Sequence, residues 1–370
     1  MKRVDVSPRV MWRTKVERLG FDFHTIDGKP YWKEDAAYEF SSEEIDELEH
    51  ATDEVHAMCM DLVAEIVQRG DYWKLGLDDR AGDLIQSSWR ADYFSLYGRM
   101  DLSYGGTSPP KLLEYNADTP TALFEASVVQ WFWLQDVFPK ADQFNSIHEK
   151  LLAGWEKYAA KYSQRKIHFC SVTEAPEDFA TTEYLRDTCV QARLVATHLN
   201  ISDVGWKQNQ FVDLQDQPIE VLFKLYPWEW LLQEPFAAHI ASASTRWIEP
   251  AWKLLLSNKS ILVALWEKYP GHPNLLPASH NRNDIQGDCV SKPRFGREGE
   301  GVHILDFQPL MPKVEEAVVY QGLHALPRFK DVYPVIGSWV IDGKAAGIGI
   351  REDHGLITKN TSCFVPHFFL

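Results

Sequence analysis

Apolar positions along the chain switch between helical and strand-like spacing, and the switches outline its organisation. Between Ser41 and Gly70, Val55, Met58, Leu62, Val63 and Ile66 recur on one helical face. Ser41 precedes Glu44 at capping-box spacing and Gly70 suits a helix exit, so a helix over 41–70 is expected. Residues 93–102 and 111–116 are short apolar runs separated by Gly105, Gly106, Pro109 and Pro110, which predicts two strands and a loop. A helix from Thr121 to Trp133, entered through Pro120, is expected next. Farther on, 166–172 reads as strand, 182–197 as helix and 219–226 as strand, the order of a small α/β lobe. A helix over Lys259–Lys268 precedes short strands at 288–293, 301–306, 317–321 and 335–351. Asp342-Gly343 between two apolar strands predicts a type I′ hairpin. The expected class is α/β: a body from 1–160 and 326–370, a small α/β lobe over 161–256, and an antiparallel lobe over 257–325.

Composition narrows the function classes. At 370 residues the chain can bury a core without covalent staples. Its formal charge of −15 is opposite to the basic excess of a nucleic-acid binder. Five cysteines without a CxxC pair argue against a disulfide framework or structural zinc and fit a reducing compartment. Asp5, Pro8 and Arg9 interrupt the basic start, so no signal peptide is expected, and no apolar run is long enough to span a membrane. A cytoplasmic address, with no membrane partner, follows.

The candidate chemistry lies in the antiparallel parts. Arg99 and Asp101 stand two apart on one predicted strand, Glu114 and Asn116 on the next, so each pair shares a face. If the strands pair, two carboxylates and an amide oxygen converge, the hard ligands that Mg²⁺ takes beside phosphate oxygens. An arginine among them suits a phosphoryl group. A solvated sheet face with an Arg–Asp pair fits the same spacing. Gly296, Gly299 and Gly301, with Lys292 and Arg297, form either a backbone cradle for phosphates or a polar hairpin loop. Lys259 has the wrong charge for a helix start and gains from a nearby anion, although a solvated lysine explains it too. Arg351 ends the last hairpin strand, where surface charge is the plain reading. Glu174, Glu177 and Asp178 form an acidic cluster that could receive a cationic amine or simply mark a helix N-terminus. Trp228, Glu229 and Trp230 suit a cleft or a core.

Taken together, LeuLeuGluTyrAsnAlaAspThrPro (112–120), SerAsnLysSerIleLeu (257–262), LysProArgPheGlyArgGluGly (292–299) and the hairpin 337–352 resemble the glutathionylspermidine synthase family, in its stand-alone form without an amidase domain. The resemblance implies an ATP-grasp-like fold with an antiparallel lid and an ADP-forming carboxylate–amine ligase that uses ATP and Mg²⁺ and passes through an acyl phosphate. By the same resemblance Asp101, Glu114 and Asn116 hold Mg²⁺, and Arg99 contacts the transferred phosphoryl group. Lys259 and Lys292 reach the nucleotide, and the 296–301 loop closes over the triphosphate with Arg297 near the reacting centre. The 318–323 stretch reads adenine through backbone groups and Gln321, and Arg351 faces the phosphates or the acyl phosphate. Thr119 and Thr121 stand where the family uses hydroxyls near a thiol-peptide substrate. Small-molecule partners are implied: a peptide-like acid and an amine, with glutathione and a polyamine the first pair and Glu174 in the amine's cluster. The chain departs from the family at Leu225, aligned where glutathione-using members place a hydroxyl. An idle nucleotide-binding scaffold of the same fold is the competing reading.

Overall fold

Ser41 opens the longest helix, Ser42–Arg69, through a reciprocal cap: its Oγ accepts from the Glu44 N–H at 3.3 Å and its own N–H donates to Glu44 Oε2 at 2.9 Å. Gly70, at φ 73°, ends it. Leu48, Val55, Cys59, Leu62 and Val63 are buried on the inward face, which packs on the strands Tyr333–Ile341 and Lys344–Asp353. These positions come from a computed structural model that describes residues 1–26, 28–306 and 317–370. Part of the expected antiparallel lobe, 307–316, therefore lies outside the described residues.

The central sheet is antiparallel, in the order Cys363–Val365, Lys344–Asp353, Tyr333–Ile341, Tyr97–Ser103, Lys111–Asn116. Asp342 and Gly343, both at positive φ, turn its hairpin as expected of type I′. A second sheet, wholly parallel, runs Arg246–Ile248, Val221–Leu225, Lys166–Ser171, Val195–Asn200. A third, antiparallel, runs Ala278–Ser279, Val318–Gly322, Cys289–Pro293, His303–Leu305. A fourth joins the chain ends: Lys2–Asp5, Ala36–Phe40 and His367–Phe369. The helix Ser260–Lys268 forms where its apolar run predicts.

Two elements differ from expectation. The helix predicted at 182–197 is Pro176–Gln191, and Val195–Asn200 is a strand. Pro176 in the first turn, with Glu177 and Asp178 behind it, marks the true start. The helix predicted from Thr121 begins later, as a π-helical turn Glu125–Val129 continued by Gln130–Val137. Ala122 at φ 65° is left-handed and breaks any helix through it.

Candidate active site

Pairing of Tyr97–Ser103 with Lys111–Asn116 sets Arg99 opposite Asn116 and Asp101 opposite Glu114. The four polar groups therefore share one face, as the alternation requires. Arg99 Nε donates to Asp101 Oδ1 at 2.7 Å, and Arg351 Nη2 reaches Asp101 Oδ2 at 3.3 Å from across the sheet. Gly337 stands opposite Asp101 on the next strand. A Cβ there would fall 2.8 Å from Arg99 Cδ, so the missing side chain is what lets Arg99 lie flat over the strand. Asn116 Oδ1 accepts from the Thr119 N–H at 3.1 Å and fixes the following turn. Arg99 Nη1 donates at 2.8 Å to the carbonyl of Thr121 in that turn.

The SerAsnLys segment supplies the next layer. Ser257 Oγ accepts from the N–H groups of Ala117 and Asp118, and Asn258 is buried against the Leu75 carbonyl. Lys259 Nζ lies 3.2 Å from Glu114 Oε2 and donates to the Gly296 carbonyl at 2.6 Å. Lys292 Nζ is held by the Leu113 carbonyl at 2.8 Å and Gln321 Oε1 at 2.7 Å, both neutral oxygens. Burial, aided by Lys259 and opposed by Glu114, pushes the Lys292 ammonium down to about 8. Burial raises Glu114, but Lys259, Lys292 and Arg99 outweigh it and hold that carboxyl at about 2. The site thus carries a firmly ionised carboxylate and an under-compensated ammonium side by side.

A cavity of about 390 Å³ opens over this face. It is lined by Arg99, Asp101, Glu114, Asn116, Thr119, Thr121, Lys259, Lys292, Gly296, Arg297, Gly299, Gln321 and Arg351, residues that the sequence singled out. Glu174 and Gly301 are not among the lining residues. Glu174 is exposed and accepts from Asn200 Nδ2 at 3.1 Å, because the helix it was assigned to starts beyond it; Asp178, one helical turn on, lines the cavity instead. Gly301, at φ 66°, makes the hairpin turn against the Pro293 ring. Gln321 lines the cavity but spends its side chain inside the protein, since Nε2 donates to the Leu112 carbonyl at 3.0 Å while Oε1 holds Lys292. These two bonds fix the amide in place and take one of its two N–H donors and one of the acceptor sites on its oxygen.

The glycine-rich loop meets the Trp228–Trp230 segment across the cavity, whereas the Asp118–Lys224 pair and Glu298 carried no signal in the sequence. Arg297 Nη2 donates to Glu229 Oε1 at 2.8 Å, Nη1 donates to Thr119 Oγ1, and the guanidinium lies 5.7 Å from the Trp230 ring centroid. Gly299, at φ 74°, packs so closely on residues 357 and 358 that a Cβ would sit 2.7 Å from the Thr358 carbonyl oxygen. Below the turn, Asp118 and Lys224 form a fully buried ion pair at 2.6 Å. Asp118 also accepts from the Trp228 N–H at 2.8 Å, so the pair ties the turn after Asn116 to the end of the parallel sheet. Asp178 is raised to about 7 by burial and then by Glu177 and Glu298; both Asp178 and Glu298 line the cavity.

A family model described as glutathionylspermidine synthase preATP-grasp matches residues 3–370. The chain belongs to that family. A Haemophilus influenzae relative, provisionally named an acid–amine ligase, is 42% identical over the full length of both chains. Trypanothione synthetase of Crithidia fasciculata is 25% identical over 84% of this chain and 53% of its own length. The bifunctional glutathionylspermidine synthetase/amidase of Escherichia coli is 23% identical over 86% of this chain and 57% of its own. The chain spans little more than half of these two longer relatives. A glutathione synthetase-like effector of Globodera pallida, solved without ligand, shares the fold: TM-score 0.58 at 10% identity, covering 90% of this chain and 88% of that one. The glutathionylspermidine synthase family thus supplies an ATP-grasp type of fold in which the cavity lies between the central sheet and the antiparallel sheet of Cys289–Pro293. Among the described residues no helix is long and apolar enough to cross a membrane.

Proposed function

We propose that the protein is an ATP- and Mg²⁺-dependent ligase that joins a carboxylic acid to an amine and releases ADP. The observation that carries this reading is the single sheet face on which Asp101 and Glu114 meet Arg99, Arg351, Lys259 and Lys292. Such a set fits a metal–triphosphate complex: hard oxygens for the ion, cations for the phosphates, and a buried lysine that gains an anionic partner. Asp101, Glu114 and the amide oxygen of Asn116 would hold Mg²⁺, which when bound screens the phosphate charge. Lys259 and Lys292 would bind the phosphates. The loop 293–301 would cover them, with Gly296 and Gly299 exposing backbone toward them.

A carboxylate is a poor acylating agent because oxide is a poor leaving group. Phosphoryl transfer converts it to an acyl phosphate, which an amine attacks. Arg99 and Arg351, both within reach of Asp101, would offset the charge that builds in both steps. Arg297, closed over the cavity, would help keep water from the activated acid. Asp178 and Glu298 line the cavity, with Glu177 close to Asp178, and would suit a cationic amine. Asp178, raised to about 7, would take the proton released as the amide forms. Glutathione and a polyamine remain the first pair to try, with Leu225 presenting an apolar wall where a hydroxyl would otherwise bind.

The test is ADP release over panels of acids and amines, with hydroxylamine added to trap an activated acid. Hydroxamate should form with the right acid and ATP alone. Glu114→Ala should abolish it, with the fold intact by circular dichroism. ATP binding without hydroxamate from any acid would favour an idle scaffold.

A further inference from the structure

Arg297 reaches from the glycine-rich loop into surroundings suited to positive charge. Its Nε and Nη2 both donate to Glu229 Oε1, at 3.2 and 2.8 Å, and Nη1 donates to Thr119 Oγ1. The guanidinium carbon lies 5.7 Å from the Trp230 ring centroid. The Glu229 side chain is only 12% exposed, and its Oε2 is buried without a partner. Asp178 and Glu298 line the same cavity. Burial raises both of their carboxyls, and Arg297 is one of the charges that opposes the rise. A carboxylate, an indole and a hydroxyl thus hold one flat cation, the combination that recognises organic cations in general.

The wall and the cation belong to different elements. Glu229 and Trp230 stand on the short helix Trp228–Leu231, whose first N–H is tied to the buried Asp118. Arg297 rides on the loop, between Gly296 and Gly299. An anion entering the cavity offers the guanidinium a competing partner. Once Arg297 turns to it, Glu229 is left as a mostly buried carboxylate without a counter-ion, which is a costly state. A second cation of similar shape would relieve it. Trp230, half exposed, leaves room for one to arrive.

We propose that Glu229, Trp230 and Thr119 form a subsite for an alkylammonium or alkylguanidinium group, filled by Arg297 in this structure and ceded to a cationic substrate when an anion draws Arg297 away. Binding of the anion and of the amine is then cooperative, because the first vacates the place of the second. The identity of that cation as the amine substrate rests on the acid–amine ligase reading. The subsite itself rests on the guanidinium seated in it.

The probe is agmatine, whose guanidinium on a butyl chain copies the arginine side chain, with 1,4-butanediol as neutral control. Titration calorimetry on the full chain compares wild type with Arg297→Ala, which vacates the subsite. Arg297→Ala should bind agmatine about tenfold or more tightly than wild type. The isosteric Glu229→Gln, added to it, should remove that gain, and butanediol should show none. Spermidine, run beside agmatine, reports the ammonium arm: a gain for either probe carries the proposal, and the larger gain names the head group. In wild type, the Mg²⁺ complex of the β,γ-methylene analogue of ATP should recover part of the gain. Equal affinity in wild type and Arg297→Ala for both probes, or a gain that survives Glu229→Gln, overturns the subsite. A gain in Arg297→Ala with no response of wild type to the bound analogue overturns the exchange. No binding of the analogue at all overturns the ATP-dependent reading and leaves the subsite to stand on the Arg297→Ala arm.

Discussion

Lys292 shows how one side chain couples solvation to ligand binding. An unfolded lysine titrates near 10.5, whereas burial and Lys259 bring this one to about 8. Between those values the unfolded chain holds more protons than the native one, so the lysine's penalty on stability is full below about 8 and fades as pH rises toward 10.5. Unfolding midpoints of wild type and Lys292→Met should therefore converge over that window. Nucleotide phosphates would favour the ammonium, so ATP affinity should fall as pH climbs past about 8 in the wild type, while the weak residual affinity of Lys292→Met stays flat. A titration series across pH checks both. The period-two alternation exposed Arg99, Asp101, Glu114 and Asn116, because a strand's faces are written in its own residues. Gly337 left no such mark. Its contact with Arg99 arises from pairing between strands remote in sequence, and the informative feature is a side chain that is missing.

Among elements, helices and hairpins with local signals were readable and the others were not. The cap at Ser41 and the Asp342-Gly343 turn are short-range devices, and both formed as expected. Val195–Asn200 is a strand because Lys166–Ser171 offers it a parallel partner, and its own pattern could equally continue a helix. The acidic residues after Pro176 had a helix N-terminus as one of their two readings, and Glu177 and Asp178 do stand in a first turn, six residues before the start that the apolar pattern predicted. The loop over the cavity depends on a different local feature. Gly299 combines a left-handed φ with backbone of residue 358 at the position a Cβ would take. Gly299→Ala should cost the fold only about 1 kcal/mol, a typical left-handed penalty for an L residue. It should lift the loop off residues 357–358 and raise the KM for ATP by about tenfold or more. Thermal unfolding beside steady-state kinetics separates the two effects.

For the whole molecule, the buried pair Asp118–Lys224 is one joint between the sheet that carries the candidate metal ligands and the parallel sheet beside it. Removing one partner leaves an uncompensated charge in the core and should destabilise the protein by about 3–5 kcal/mol. Lys224→Met and Asp118→Leu should each show that loss in denaturant unfolding. The double variant should lose less than the sum, though not recover fully, because the Trp228 N–H would be left without its acceptor.

The ion pairs on the candidate catalytic face have one more consequence. Asp101 is already engaged by Arg99 and Arg351, and Glu114 by Lys259. A divalent cation arriving alone must compete with guanidinium and ammonium for its carboxylates, and a polyphosphate arriving alone must compete with carboxylates for its cations. Arriving as one complex, they let every pair exchange partners at once, with no charge stranded midway. Metal and nucleotide would then each raise the other's affinity by the same factor, a reciprocity required by thermodynamic linkage. The resting protein would hold both halves of that exchange in mutual check.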